Sequence, residues 1–370
     1  MVARLSTRAA ATVVALAVAA AGSAAAAAAT TAATPRALSA GAIVARINTQ
    51  RAAHGIPAGI RQVPDWSHKC ALHNAWMKLN NRLQHPEEEG SPGYTVGGNW
   101  AGTHAVLAAE VYWADRNPWE TAPIHLIQLL GPGLARMGAA ETSGHDCATT
   151  WPGYERVGKT DVVYTYPGAG TKLWRPSEVA AEAPFTPGEK VGIPQGTRTG
   201  PYLYVLPDGP WTQAGTIRVA SASLTGPEGA VRLRSIDKRN VDVGPFMPKG
   251  SAMLIPLRPL RGGATYAAVV TLSSATKTLT RRWRFTTARE NEVSQQVEAA
   301  STTGFQVVVT STAPEPAVTI DGKPVAVGRQ GAGWQTLPFT FRGSVAVCVR
   351  SGGGTTGYVA ASSCMTWSFS

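Results

Sequence analysis

The sequence predicts a multi-domain chain in which an α+β module is followed by all-β sandwich modules. Three observations point there. Between positions 42 and 130, apolar residues recur at helical spacing. Beyond about 160 the texture turns to short β-branched and aromatic runs punctuated by Pro and Gly. The chain has 370 residues, more than one core usually serves.

In order, Ile43, Val44, Ile47 and Arg51 fit a first helix. Residues 70–83 place Ala71, Ala75, Leu79 and Leu83 at steps of four, the mark of an amphipathic helix. Residues 103–113 have few breakers and read as helix. Residues 120–130 read as another, stopped by Gly131-Pro132-Gly133. Strands are expected over 161–166, 216–220, 231–236, 252–255, 265–272 and 281–287. A polar linker over 288–296 precedes a small second β-module, with strands over 304–310, 318–320, 345–349 and 365–369. Asp321-Gly322 is a hairpin-turn signal.

The N-terminus predicts export. Arg4 and Arg8 precede the uncharged apolar run 9–21, and small residues follow to Ala29. Residues 1–29 are therefore expected to be a signal peptide and 30–40 a disordered leader, giving a secreted, extracellular product. No later apolar run is long enough to span a bilayer, so no membrane span is expected in the mature chain. Export makes disulfides the default for the four cysteines. Three pairings are possible, and pairing within each stretch, Cys70 with Cys147 and Cys348 with Cys364, is the economical choice.

Charged residues are only 15% of the chain, and the formal charge is +11. Outside a cell such a chain can meet a cell-wall polymer or an anionic lipid. There is no Lys/Arg tract interleaved with aromatics, so no nucleic-acid partner is expected. G-x-S-x-G, H-E-x-x-H and C-x-x-C are all missing from the sequence, so serine-nucleophile, zincin and thioredoxin-type chemistry have no motif to rest on. Glu87-Glu88-Glu89 between Pro86 and Gly90 reads as a solvated charge cluster. His68 and His73 read as surface residues, and His145 is expected near Cys147.

Several short motifs occur in a telling order. Asn48-x-x-Arg51 precedes Gly55. Ala71 and Ala75 lead to His85. Tyr94-Thr95-Val96-Gly97-Gly98-Asn99 comes next, then Trp119-Glu120-Thr121-Ala122-Pro123-Ile124-His125, then Leu130-x-Pro132 and Met137-Gly138-Ala139. This set resembles the bacterial form of the CAP superfamily, the cysteine-rich secretory or SCP domain, over about a third of the chain. The resemblance implies an α-β-α sandwich over residues 41–210. It also implies a cleft where two His and two Glu can hold a divalent metal. His85, closing the second helix, and His125 match the histidines. Gly98, before Asn99, stands where the family motif has Glu. Glu120 and Glu110 are near the second acidic position but not on it. His85, His125, Gly98, Asn99 and Glu120 are thus the cleft candidates, with His85 and His125 the candidate metal ligands. No cofactor is expected beyond a weakly bound divalent metal such as zinc.

Residues 211–288 contain Pro259-Leu260-x-x-Gly263-x-x-Tyr266 and Trp283-x-Phe285-Thr286-Thr287. They resemble a bacterial immunoglobulin-like domain, which implies that Tyr266 and Trp283 pack between two sheets. Residues 297–370 form the last, disulfide-stapled module. The functional expectation is a non-catalytic secreted protein. Its cleft would bind a small apolar or lipid-like ligand or a cell-wall component, with the β-modules as spacer or adhesive tail. The alternative is a metal-assisted hydrolase using the two histidines.

Overall fold

The computed structural model describes residues 37–109, 113, 117–299, 304–330, 333–340, 343–353 and 357–369. The expected signal peptide, most of the leader and Glu110 lie outside the described residues.

Helix α1 spans Ala40–Ala53, with the Ser39 hydroxyl accepting from the Ala42 N–H. It buries Ile43, Val44, Ile47 and Arg51. The Arg51 guanidinium is wholly buried and donates to the carbonyls of Pro57, Leu129 and Gly131. It thereby ties the first helix to orphan carbonyls at the end of α4 (Pro123–Leu130). Helix α2 spans Pro64–Asn80 and stops at Asn81, which is left-handed with φ 49°. It starts six residues earlier than expected because Pro64 suits the first turn and Asp65 complements the dipole there. Its buried face is Cys70, His73, Asn74, Trp76 and Met77. Only Ala71 of the expected stripe packs on the core: Leu79 is 64% exposed, and Leu83, beyond the end of the helix, 55%. Two large rings and a disulfide took the inner face.

The helix expected over 103–113 is a correction. Helix α3 begins earlier, at the Thr95 cap, and spans Val96–His104. Ala105–Ala109 is a strand paired antiparallel with His145–Thr149, which in turn pairs with Ala139–Thr142. Cys70, Trp76, Met77 and Ala101 of α2 and α3 pack with Ala105, Leu107, Ala140 and Cys147 of this sheet. Ile43, Val44 and Ile47 of α1 and Leu129 of α4 pack with Val106, Ala139 and Ala148. Side chains alternate across a strand, so the two helix pairs lie on opposite faces of the sheet. The Cys70–Cys147 disulfide (Cα–Cα 5.4 Å) joins α2 to the central strand.

The next core belongs to a two-sheet β-sandwich. One sheet runs Leu233–Asp237, Ala252–Pro256, Leu203–Asp208, Val162–Tyr166; the other runs Gly229–Val231, Arg218–Gly226, Thr265–Ser273, Thr278–Thr287, Lys172–Leu173. Tyr266 and Trp283 are buried between them with Leu203, Val205 and Leu254, as the sequence pattern implies. Gly263, at φ 69°, makes the turn into the Thr265 strand. The boundary expected at 210 does not coincide with a break in packing. Strands 162–166 and 203–208 are half of one sheet, and Ile124, Leu126, Ile127 and Leu130 of α4 share its core.

The last module is also two packed sheets. Val293–Ala299, Phe305–Ser311, Gly333–Thr336 and Val327–Gln330 make one; Lys323–Val325, Ala317–Ile320, Gly343–Ser351 and Ala361–Phe369 make the other. A valine-rich core lies between them, against which Trp334 and Trp367 pack partly buried. The linker expected over 288–296 is shorter than that, because Val293–Ala299 is a strand. Asp321 and Gly322 turn the hairpin with φ 47° and 76°. Cys348 and Cys364 are direct cross-strand partners, Cα–Cα 4.1 Å apart. They link neighbours within one sheet, unlike the inter-sheet disulfide of antibody domains.

One buried group sets a pH dependence. Asp146 lies cross-strand from Glu141, both buried, and Asp146 Oδ1 has no hydrogen-bond partner among the described residues. Glu141 already accepts from the Trp113 and Leu38 N–H groups. Desolvation, then the Glu141 charge, push the Asp146 carboxyl up to about 8. Burial likewise lifts Glu178 to about 7. Burial lowers His54 to about 4. Raised acids contribute stability at low pH that is lost as pH climbs through the folded pKa. The lowered histidine acts oppositely, but only below its ordinary value. Above pH 6.5 the acids decide the sign. Unfolding free energy from urea titration should fall by about 2 kcal/mol between pH 6.5 and 8. Asp146→Asn should remove most of that slope. A slope unchanged in the variant would place the titrating proton elsewhere.

Candidate functional site

His73 of α2, His85 and Glu87 of the loop that follows it, His125 of α4 and the distant Glu182 make up the candidate site. Glu87 is the centre of this arrangement, and it corrects the expectation of a solvated cluster. Its side chain is fully buried: Oε1 lies 3.0 Å from Nδ1 of His73, and Oε2 accepts from the Thr95 N–H at 2.8 Å. His73 is itself fully buried and not a surface residue, with its Nε2 3.0 Å from the Gln84 carbonyl and its ring stacked on Trp76. Asn99 holds the loop from the other side, its Oδ1 accepting from the Glu87 N–H at 2.9 Å. Glu88 and Glu89 are exposed, as is His68.

Gly98 is explained by the same carboxylate. A β-carbon at 98 would lie 2.2 Å from Glu87 Oε1 and 2.7 Å from Thr95 Oγ1. The volume a side chain at 98 would take is occupied by the Glu87 carboxylate, so Gly98→Glu cannot serve as a simple restoration of an acidic ligand.

His85 does not close a helix; it sits in the loop five residues past the end of α2. Its Nδ1 donates to the Gly102 carbonyl at 2.8 Å. His125 occupies the first turn of α4. Its Nδ1 donates to Glu182 Oε1 at 2.5 Å, and the same carboxylate accepts the Ile124 and His125 N–H groups. Glu182 thus caps α4 from 57 residues away and locks the His125 ring in one step. The two imidazoles stand 6.1 Å apart, centroid to centroid, with planes 6° from parallel. A carbonyl and a carboxylate only accept, so both Nδ1 atoms carry the proton. Neutral imidazole then leaves Nε2 as an acceptor. His85 is exposed, yet partial desolvation of its ring lowers its pKa from the ordinary histidine value. Desolvation is the main cause, and His125 and His73 add to it against the opposing Gly102 bond. His85 is therefore neutral at pH 7.

Glu120 is not part of this group. Its carboxylate accepts from Gln50, from Trp174 Nε1 at 2.8 Å and from the Tyr166 hydroxyl at 3.3 Å, and none of its bonds goes to a histidine. Desolvation raises its pKa. His145 lies two residues from Cys147, its ring on the Ser143 carbonyl.

Anchoring of one imidazole nitrogen by a carboxylate or carbonyl is also how metal-ligating histidines are oriented. The donor set here does not fit a tightly held metal. Among the described residues no three His, Cys, Asp or Glu side chains converge as a ligand group. Glu87 is committed to His73 and Thr95, and Glu182 to α4 and His125. Two imidazoles alone make a weak zinc site.

Sequence reading misses Glu182 and takes Glu87 for one member of a solvated cluster. Glu182 lies in a Pro-rich stretch far from α4, and Glu87 is indistinguishable from its two neighbours until Thr95 and His73 are placed beside it.

No protein-family model matches the chain, and no curated protein matches it. Solved structures align weakly. Bovine butyrophilin aligns at 11% identity over 46% of this chain and 90% of that one, with a TM-score of 0.25. The titin I-band fragment I67–I69 aligns at 11% identity, covering 54% of this chain and 61% of that one, with a TM-score of 0.25. At such scores neither carries an argument about this chain. No helix among the described residues is long and apolar enough to cross a membrane.

Proposed function

We propose that the chain is a secreted, non-catalytic binding protein. In this reading the helices and three-stranded sheet between residues 40 and 149 are a CAP-like module whose His85–His125 site takes a small apolar ligand with a hydroxyl group. The immunoglobulin-like β-modules space or present it. The observation that carries the reading is the pair of anchored imidazoles. With both Nδ1 protons committed, each imidazole in its neutral form offers Nε2 as an acceptor, which suits a hydroxyl donor. Leu79 near the end of α2, Leu83 in the loop that carries His85, and Val96 at the start of α3 are exposed, the last 77%. Apolar side chains left in water at one segment support an apolar partner. The commitment of Glu87 and Glu182 to structural bonds weighs against the metal-assisted hydrolase. The two disulfides are compatible with an extracellular setting.

Octyl glucoside below its critical micelle concentration is a suitable probe, joining an alkyl chain to hydroxyls. Calorimetry should show saturable binding, weakened about tenfold by Leu83→Ser. No binding, or binding indifferent to both Leu83→Ser and His85→Gln, contradicts the reading. Zn²⁺ titrated into the same protein should bind only weakly. Tight zinc binding abolished by His85→Ala would favour the hydrolase.

A further inference from the structure

The positive charge of this chain has a location. The outward face of the sandwich's second sheet carries cross-strand rows Thr225–Ala267–Arg284 and Ser223–Val269–Arg282. No Asp or Glu occupies a position in these rows. At one end the face deepens into a cleft of 680 Å³ lined by Arg261, Arg284 and Arg289 among small polar and glycine residues, again without an acid. All three arginines are exposed. Neither Arg261 nor Arg284 has a hydrogen-bonded carboxylate among the described residues. The carboxylate that feels the Arg261 charge, Glu228, is held 2.5 Å from Arg258. Arg289 lies over Tyr358, 5.7 Å from its ring centroid, which fixes its direction. Gly263, bare of a β-carbon, lets the Arg289 side chain lie against the cleft wall.

We infer that this cleft and sheet face bind a linear, phosphate-bearing polymer that lacks bases. Three exposed arginines that line one cleft, with no acid among its lining residues, present positive charge to an anion. Their planar forks match phosphate oxygens two at a time. Arg282 and Arg284 are two residues apart on one strand, about 7 Å along it. That is close to the separation of neighbouring phosphates in an extended phosphodiester chain. Among the described residues the cross-strand rows of the face carry no aromatic side chain, and the Tyr358 ring at the cleft is covered by Arg289, so no run of rings is offered for bases to stack on. None of the exposed large apolar side chains lies on it, and a membrane-surface site normally inserts such groups. This inference does not depend on the reading of the His85 site.

The test uses the full secreted chain, with linear polyphosphate as the probe. Binding should be saturable and should weaken steeply with salt. The triple variant Arg261→Gln, Arg284→Gln, Arg289→Gln should lose at least tenfold in affinity. The control triple Lys159→Gln, Arg234→Gln, Lys323→Gln removes the same charge from exposed sites elsewhere and should lose less than threefold. Restoring charge without the fork, as Arg→Lys at all three cleft positions, should recover only part of the loss. Because the side chains are exposed, the unfolding midpoint should not move. Should the triple variant fail to fold, Arg284→Gln alone should lose about threefold. Equal loss in cleft and control variants would overturn the inference in favour of diffuse charge. Binding to phosphatidylglycerol vesicles but not to polyphosphate would overturn it in favour of a membrane surface.

Discussion

A fragment of residues 211–288 should not fold, although the sequence pattern marks it as a complete module. The cut at 210 removes strands Val162–Tyr166 and Leu203–Asp208, two of the four in one sheet. It leaves Ala252–Pro256 as a bare edge and exposes Met253, Leu254 and Ile255, each fully buried in the whole chain. It also deletes Leu203, Val205 and Leu206 from the core itself. An open apolar edge of this kind aggregates or stays unfolded. The fragment should show no cooperative thermal transition by circular dichroism. Residues 37–288, which keep both sheets and α4, should unfold cooperatively. A sharp transition from 211–288 alone would mean that the N-terminal strands are accessories to a core that closes without them.

The second large effect is expected at Glu87. Removing one partner of a buried pair leaves the other without compensation, at a cost of about 3–5 kcal/mol. Glu87→Ala strands both His73 and the Thr95 N–H at the start of α3, so chemical denaturation should show a loss in that range. Glu88→Ala, one residue on, loses only an exposed contact with Arg82 and should change stability by no more than about 0.5 kcal/mol. Equal effects at the two positions would mean that Glu87 is solvated and that the loop between α2 and α3 is not held as described.

These two residues also show where sequence reading reaches its limit. Local signals carried far. Helix α1, the strands near 252–255, 265–272 and 281–287, the Asp321-Gly322 hairpin and the buried Tyr266 and Trp283 all follow from period, turn chemistry and aromatic placement. So does cysteine pairing within each half. What failed depended on tertiary competition. The apolar stripe Ala71, Ala75, Leu79, Leu83 was a good helical pattern, but Cys70, Trp76 and Met77 on the adjacent face had a disulfide and the three-stranded sheet to bury against. The segment after Thr103 has the composition of a helix, yet Ala105–Ala109 is claimed by the strand containing Cys147. The candidate site divides the same way. His85 and His125 were marked by motif order. Their anchors, the Gly102 carbonyl and Glu182, lie 17 and 57 positions away with no periodic relation to them. Gly98, read from motif order as a missing acid, proved to be the gap into which another acid fits.

The central claim is that two imidazoles, each fixed through Nδ1, hold their Nε2 atoms ready as acceptors for a hydroxyl-bearing apolar ligand. The most direct measurement is ¹⁵N NMR of the histidine rings at pH 7, before and after octyl glucoside. The account predicts that His85 shows the Nδ1–H tautomer with an unprotonated Nε2. It also predicts that the Nε2 signals of both His85 and His125 move on addition of the probe, while those of buried His73 stay fixed. An Nε2–H tautomer at His85, or Nε2 signals at His85 and His125 that ignore the probe at saturating concentration, would contradict it.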